Sequence, residues 1–175
     1  TKVCPTPGDL CTEPMVITAL PFTNQFNNDL ATAGTPSCST YYTTTQNDWW
    51  FQYTPAANEC AILDVSDVTP YDMVMGVYTG PDCNTLTNIV CLDDPEPYHV
   101  ELSLAAGTTY WFQIGDYGST EFGGLTNFSL VLCPTGACCT GATCTIETPA
   151  ACALISGLYV GDNEPCLPDP CMTRA

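Results

Sequence analysis

The sequence predicts an all-β sandwich followed by a small disulfide-rich C-terminal module, and three observations predict it. Short apolar segments recur with alternating inward and outward residues, separated by turn residues, and no helical period is found before Cys133. Aromatic side chains, which suit a pleated and half-buried surface, concentrate in those segments. Beyond Cys133 the character changes: six cysteines crowd into a stretch too short to bury much core, so disulfides are expected to hold it. The expected domains are therefore 1–133, the sandwich, and 134–175, the stapled tail.

The elements follow in order. A Pro/Gly-rich lead-in carrying Cys4 and Cys11 precedes a first strand expected over Met15 to Phe22, with Pro21 near an edge or bulge. Thr23 to Ser39 is polar and reads as a long loop with at most a short strand at its start. Asp48 to Thr54 is the strongest strand, with Trp49, Phe51 and Tyr53 on the core face and Trp50 and Gln52 on the other. Cys60 to Val65 alternates Ala61, Leu63 and Val65 inward. Met73 to Tyr78 and Leu86 to Leu92 flank the turn Gly80-Pro81-Asp82 as a compact strand pair. Tyr98 to Leu104 points Val100, Leu102 and Leu104 inward and His99 outward. Thr109 to Ile114 alternates Tyr110, Phe112 and Ile114 against Trp111 and Gln113, and Leu125 to Leu132 closes the set with Phe128, Leu130 and Leu132 inward. In the tail, Thr148 to Ile155 predicts a short helix with Thr148 as cap and Pro149 in its first position.

The charge narrows the function. Nineteen acidic residues stand against two basic ones, Lys2 and Arg174, for a net charge of −17. Nucleic-acid binding requires clustered Lys and Arg, and there are none to cluster. Attraction to an anionic membrane fails for the same reason, and no apolar run approaches the roughly twenty residues of a span. Charged residues make up only 12% of the chain, so the surface lacks the lysines that block edge-to-edge association. Thirteen cysteines place the protein in an oxidising, extracellular setting, with any signal peptide expected to be already removed. The odd count leaves at least one thiol free or bonded outside the chain.

Several pieces in this order resemble the bacterial pre-peptidase C-terminal domain family. They are Gly8-Asp9-Leu10-Cys11, Cys38, Asp48 to Thr54, Tyr71-Asp72-Met73-Val74, Val77-Tyr78-Thr79-Gly80, Cys91-Leu92-Asp93-Asp94, Ala106 to Tyr110 and Gly124 to Leu130. Together they span about Cys4 to Cys133. The segment from Gly136-Ala137-Cys138-Cys139 through Gly161 and Cys166 is similar to a short cysteine-rich repeat found beside such domains in planctomycetes. The resemblance implies a jelly-roll-like antiparallel β-sandwich without catalysis of its own. It further implies an accessory role in secretion or adhesion, with calcium bound in some members. No catalytic domain accompanies the sandwich in this sequence.

Candidate sites follow from the residues. Asp72, Asp93 and Asp94 converge if the two strands around Gly80 pair, and Asp116 or Asp67 would add a ligand; such turn-borne oxygens suit calcium. Alternatively, these acids cap turns and face water. Cys83 and Cys91 are expected to bridge across their short loop, Cys11 to pair with Cys38, and Cys4 with Cys133. The tail cysteines Cys138, Cys139, Cys144, Cys152, Cys166 and Cys171 are expected to form disulfides, with fifteen pairings open. Trp50 and Trp111 fall on non-core faces and offer a platform for sugar rings, unless loops cover them. His99, the single histidine, has no Gly-x-Ser-x-Gly partner motif. Asn127-Phe128-Ser129 is the one N-glycosylation-type triplet. The expectation is a non-catalytic, secreted structural or adhesion protein that assembles into an array or filament with other copies or with cell-surface or matrix polymer. A carbohydrate- or matrix-binding module is the alternative, and a secreted hydrolase the third.

Overall fold

In the computed structural model the described residues are 7–38, 44–118, 123–168 and 170–171. The chain divides into two compact units, Thr1–Leu132 and Cys133–Ala175.

The first unit holds two sheets. The five-stranded sheet has the order β1 (Met15–Ile17), β3 (Gln46–Tyr53), β8 (Tyr110–Asp116), β5 (Met73–Thr79), β6 (Thr87–Asp93). The four-stranded sheet runs β2 (Phe22–Asn27), β9 (Leu125–Leu132), β4 (Glu59–Asp67), β7 (Tyr98–Leu104). Between them lies one apolar core, built from the residues that alternation points inward. Phe51 stacks on Phe128 with ring centroids 4.0 Å apart, and Leu63, Val65, Met75, Val77, Phe112, Ile114 and Leu130 close around them. The class is all-β, as the alternation predicts.

Three local expectations change. The stretch expected as one strand from Met15 to Phe22 is two: β1 pairs with β3, and after Pro21 the chain enters the other sheet as β2 against β9. The β1–β3 pair is parallel, the exception among otherwise antiparallel ladders. Leu132, expected inward, is half-exposed because it occupies the last position of β9.

The central strands of the five-stranded sheet are buried on both faces: β8 along its whole length, and β3 and β5 nearly so, whereas the edge strand β6 is largely exposed. Register explains what the outer face carries. Opposite residues on paired strands share a face, so Trp50, Gln113, Gly76 and Cys91 form one row, and Gln52, Trp111, Tyr78 and Asn88 the next. Trp50, Tyr78 and Trp111 make a second apolar cluster here, packed against Cys11, Cys38, Cys83 and Leu86. Gly76 is required beneath it, since a Cβ there would sit 2.6 Å from the Tyr78 ring.

Two disulfides hold the cover over this face, and they correct the expected pairing. Cys11 bonds Cys83 and Cys38 bonds Cys91; the bridges Cys83–Cys91 and Cys11–Cys38 do not form. The reason is orientation. Cys91 faces outward opposite Gly76, toward the incoming 32–38 segment, while Cys83 sits in the turn that the 7–14 segment reaches. Cys60 and Cys133 are also disulfide-bonded. Cys4 lies outside the described residues, so the expected Cys4–Cys133 pair falls there as well.

The second unit is a three-stranded sheet, order β11 (Thr143–Glu147), β10 (Gly136–Thr140), β12 (Leu158–Tyr159), with α1 (Pro149–Leu154) between β11 and β12. Thr148 caps α1 by accepting a hydrogen bond from the Ala151 amide at 3.1 Å, and Pro149 opens it. Of the fifteen connectivities, the module uses Cys138–Cys152, Cys139–Cys171 and Cys144–Cys166. Adjacent cysteines on β10 point to opposite faces, so Cys138 ties down α1 and Cys139 ties down the last described turn.

Candidate functional site

The acidic corner at one end of the β5–β6 hairpin is built by register. Val74 lies opposite Asp93, so Asp72, just before β5, and Asp94, just after β6, emerge at the same end. One carboxylate oxygen each from Asp72, Asp94 and Glu96 lie within 4.8 Å of one another. Asp72 and Asp94 are exposed and Glu96 is half-buried. The Met73 amide donates to Glu96 Oε1 at 3.1 Å, and the Tyr98 hydroxyl donates to the Met73 carbonyl at 2.5 Å, which fixes the base of the corner.

Asp93 stands beside this trio. Partial burial pushes the Asp93 carboxyl up, with the charges of Asp94 and Glu96 adding to it. Asp72 is pushed up by burial first, then by Asp94 and Asp93. Acids that crowd one another in this way, with no Lys or Arg among the described residues, favour uptake of a proton or a cation. Three carboxylates with two of them exposed are a donor set that a hard, oxygen-seeking ion fits, water completing its shell. Of the sequence-predicted ligands, Asp72 and Asp94 are brought together and Asp93 adjoins them. Asp116 is not in the trio: it is buried in β8, opposite Met73 and Gln46. Asp67, at the end of β4, pairs with Thr126 and is also apart. Glu96 is the residue that sequence reasoning missed. No local spacing announces it: Asp94 takes a left-handed φ of 44° and residues 94–97 form a bend, so the period-two rule of an extended chain does not apply there.

The aromatic platform is corrected. Trp50 is 1% exposed and Trp111 4%, so neither presents a ring to a ligand. Their indole nitrogens are used internally: Trp50 Nε1 donates to Asp48 Oδ2 at 2.6 Å, and Trp111 Nε1 to the Gly80 carbonyl at 2.9 Å.

His99 is exposed and its Nδ1 lies 2.6 Å from Asp64 Oδ1. Register puts Asp64 opposite both His99 on β7 and Ser129 on β9. The carboxylate therefore sits between imidazole and hydroxyl, whereas a nucleophilic triad needs the imidazole in the middle. Adjacent strands are about 4.8 Å apart, so His99 stands two strand spacings from Ser129. Asn127 is exposed on β9, and its Oδ1 accepts from Gln25 Nε2 at 2.9 Å.

No protein-family model matches the chain, and no curated protein does. Among solved structures it is similar to the pre-peptidase C-terminal domain of a collagenase from Bacillus anthracis, at 10% identity and a TM-score of 0.42, covering 66% of this chain and 92% of that one. It is also similar to the Yersinia pseudotuberculosis-derived mitogen, with 10% identity, TM-score 0.41, and 64% and 86% of the two chains covered. A third is PliG of Aeromonas hydrophila, a periplasmic inhibitor of g-type lysozyme, with 10% identity, TM-score 0.40 and coverage of 67% and 94%.

Proposed function

We propose that this chain is a non-catalytic, extracellular structural or adhesion protein that associates with further copies of itself or with surface polymer. The observation that carries the reading is the disulfide-bonded state of twelve cysteines across both units. A fold crosslinked to this extent suits an oxidising compartment and mechanical persistence. Two further facts support it. The arrangement His99–Asp64–Ser129 has the wrong order for acyl transfer, and burial of Trp50 and Trp111 removes the expected sugar platform. The motif order that resembles the pre-peptidase C-terminal family points the same way.

Calcium at Asp72, Asp94 and Glu96 is part of the reading, since it would neutralise one corner of a chain with net charge −17. Size-exclusion chromatography with light scattering, run at high concentration with calcium and with chelator, tests both parts. Species larger than a monomer that shrink on chelation are expected, and Asp94→Asn with Glu96→Gln should abolish the calcium dependence. A monodisperse monomer under every condition rejects assembly. Calorimetric titration without heat rejects the ion independently.

A further inference from the structure

The outer face of the five-stranded sheet contains a buried carboxyl that the proposed function does not use. Asp48 is 0% exposed. Its Oδ2 accepts from Trp50 Nε1 at 2.6 Å and from Gln113 Nε2 at 2.8 Å, while its Oδ1 is buried with no hydrogen-bond partner. Gln113 Oε1 in turn accepts from the Tyr78 hydroxyl at 2.9 Å, so the carboxyl ends a polar chain that runs under the aromatic cluster.

Directly above lies the 32–38 segment. Gly34 approaches so closely that a Cβ would sit 2.0 Å from Asp48 Oδ2. Gly34 and Thr45 exchange both backbone hydrogen bonds at 3.0 Å, and the Asp48 amide donates to the Thr32 carbonyl at 3.0 Å. The far end is tied by Cys38–Cys91. The segment is thus attached covalently at one end and rests on a carboxyl at the other.

We propose that Asp48 is a proton-dependent latch: neutral, it keeps the 32–38 segment closed over the Trp50–Tyr78–Trp111 cluster, and ionised, it lets that segment open. The geometry favours the neutral form when closed. A carboxylate would place a negative charge, shared between its two oxygens, in the interior with Oδ1 unpaired and no cation beside it, a costly arrangement for a buried group. Protonation on Oδ1 removes that charge and leaves Oδ2 free to accept from both donors. No compensating cation is at hand, because no Lys or Arg occurs among the described residues and His99 lies in the other sheet. The ionisable groups that face Asp48 both oppose its charge: Asp9 from the lead-in turn and Tyr78 from β5. Trp50 of β3, Gln113 of β8 and Gly34 of the cover contribute no charge.

Burial pushes the Asp48 carboxyl up to about 7, the hydrogen bonds from Gln113 and Trp50 offsetting only part of the effect, and Asp9 adding to it. A carboxyl raised in the closed form binds its proton more tightly there than in the open form. Its contribution to closure is therefore full below the ordinary carboxylate range and is lost as pH rises toward and through about 7. Because Cys38–Cys91 persists, opening is local and reversible.

Amide hydrogen exchange of the intact chain tests this, reading Gly34 and Thr45 between acid and alkaline buffer. In the native protein their protection factors should fall by about tenfold or more across the neutral range, beyond the intrinsic pH dependence of exchange. In Asp48→Asn, whose amide nitrogen takes the place of the protonated oxygen, protection should hold within about twofold. Constant protection in the native protein, or an equal loss in the variant, overturns the latch. The Asp48 carboxyl carbon shift, followed in the native chain, covers the case in which the variant fails to fold. It must titrate together with the loss of protection, and a carboxyl ionised throughout overturns the proposal.

Discussion

At the scale of single residues, the informative side chains are the buried ones that sequence places on the wrong side of a sheet. Strict alternation puts Trp50 and Trp111 opposite the core, and that much is correct. What alternation cannot say is whether the opposite face meets water. In this protein it meets a second, smaller core, so Trp50 behaves as a packing residue. Trp50→Ala should lower the unfolding free energy by about 3–5 kcal/mol, the cost of emptying a large buried aromatic site. A surface ring would cost less than about 0.5 kcal/mol. Urea denaturation followed by far-ultraviolet circular dichroism distinguishes the two. Asp48 is a harder case: in the sequence it is one acid among nineteen, and only the close approach of Gly34 and the fully buried Gln113 set it apart.

Elements behave differently, because each is specified by local pattern but completed by distant chain. The β5–β6 hairpin is legible from its turn and its apolar alternation, and with it the convergence of Asp72 and Asp94. Its cysteines are not legible in the same way. Cys83 and Cys91 sit eight positions apart in sequence, and proximity suggests one bridge between them. Each instead bonds a cover segment from far upstream, 72 and 53 residues away. Long loops of that kind restrict the unfolded chain strongly. The double variant Cys38→Ser with Cys91→Ser should therefore lose about 2–5 kcal/mol of stability. It should also shift the tryptophan emission to the red as water reaches the Trp50 cluster. Retained stability with unshifted emission would mean that the cover packs without its staple. The tail shows the complementary outcome: the helix cap at Thr148–Pro149 was readable locally, whereas β10, β11 and β12 were hidden by residues with weak alternation and by cysteines that serve as core.

For the whole molecule, electrostatics and crosslinking set the terms. A net charge of −17 in 175 residues repels itself in the compact state and is screened by salt over about 10 Å at 0.1 M. The midpoint of thermal unfolding should therefore rise as sodium chloride is raised from low to physiological concentration. A midpoint unmoved by salt would mean that bound cations already neutralise the acids. The sandwich can rely on a contiguous apolar core, whereas the tail has three disulfides in its place.

The amino-acid order by itself determined the class of fold, the inward faces of most strands, the oxidising setting and the absence of a basic surface. These follow from period-two alternation, cysteine number and charge, all of which act between near neighbours or through simple totals. Tertiary structure alone decided which cysteines meet, that Glu96 joins Asp72 and Asp94, and that the second face of the five-stranded sheet is covered. Each of these depends on segments tens of residues apart arriving at one place. Chain entropy and packing choose among such arrivals, and the local pattern carries no record of the choice.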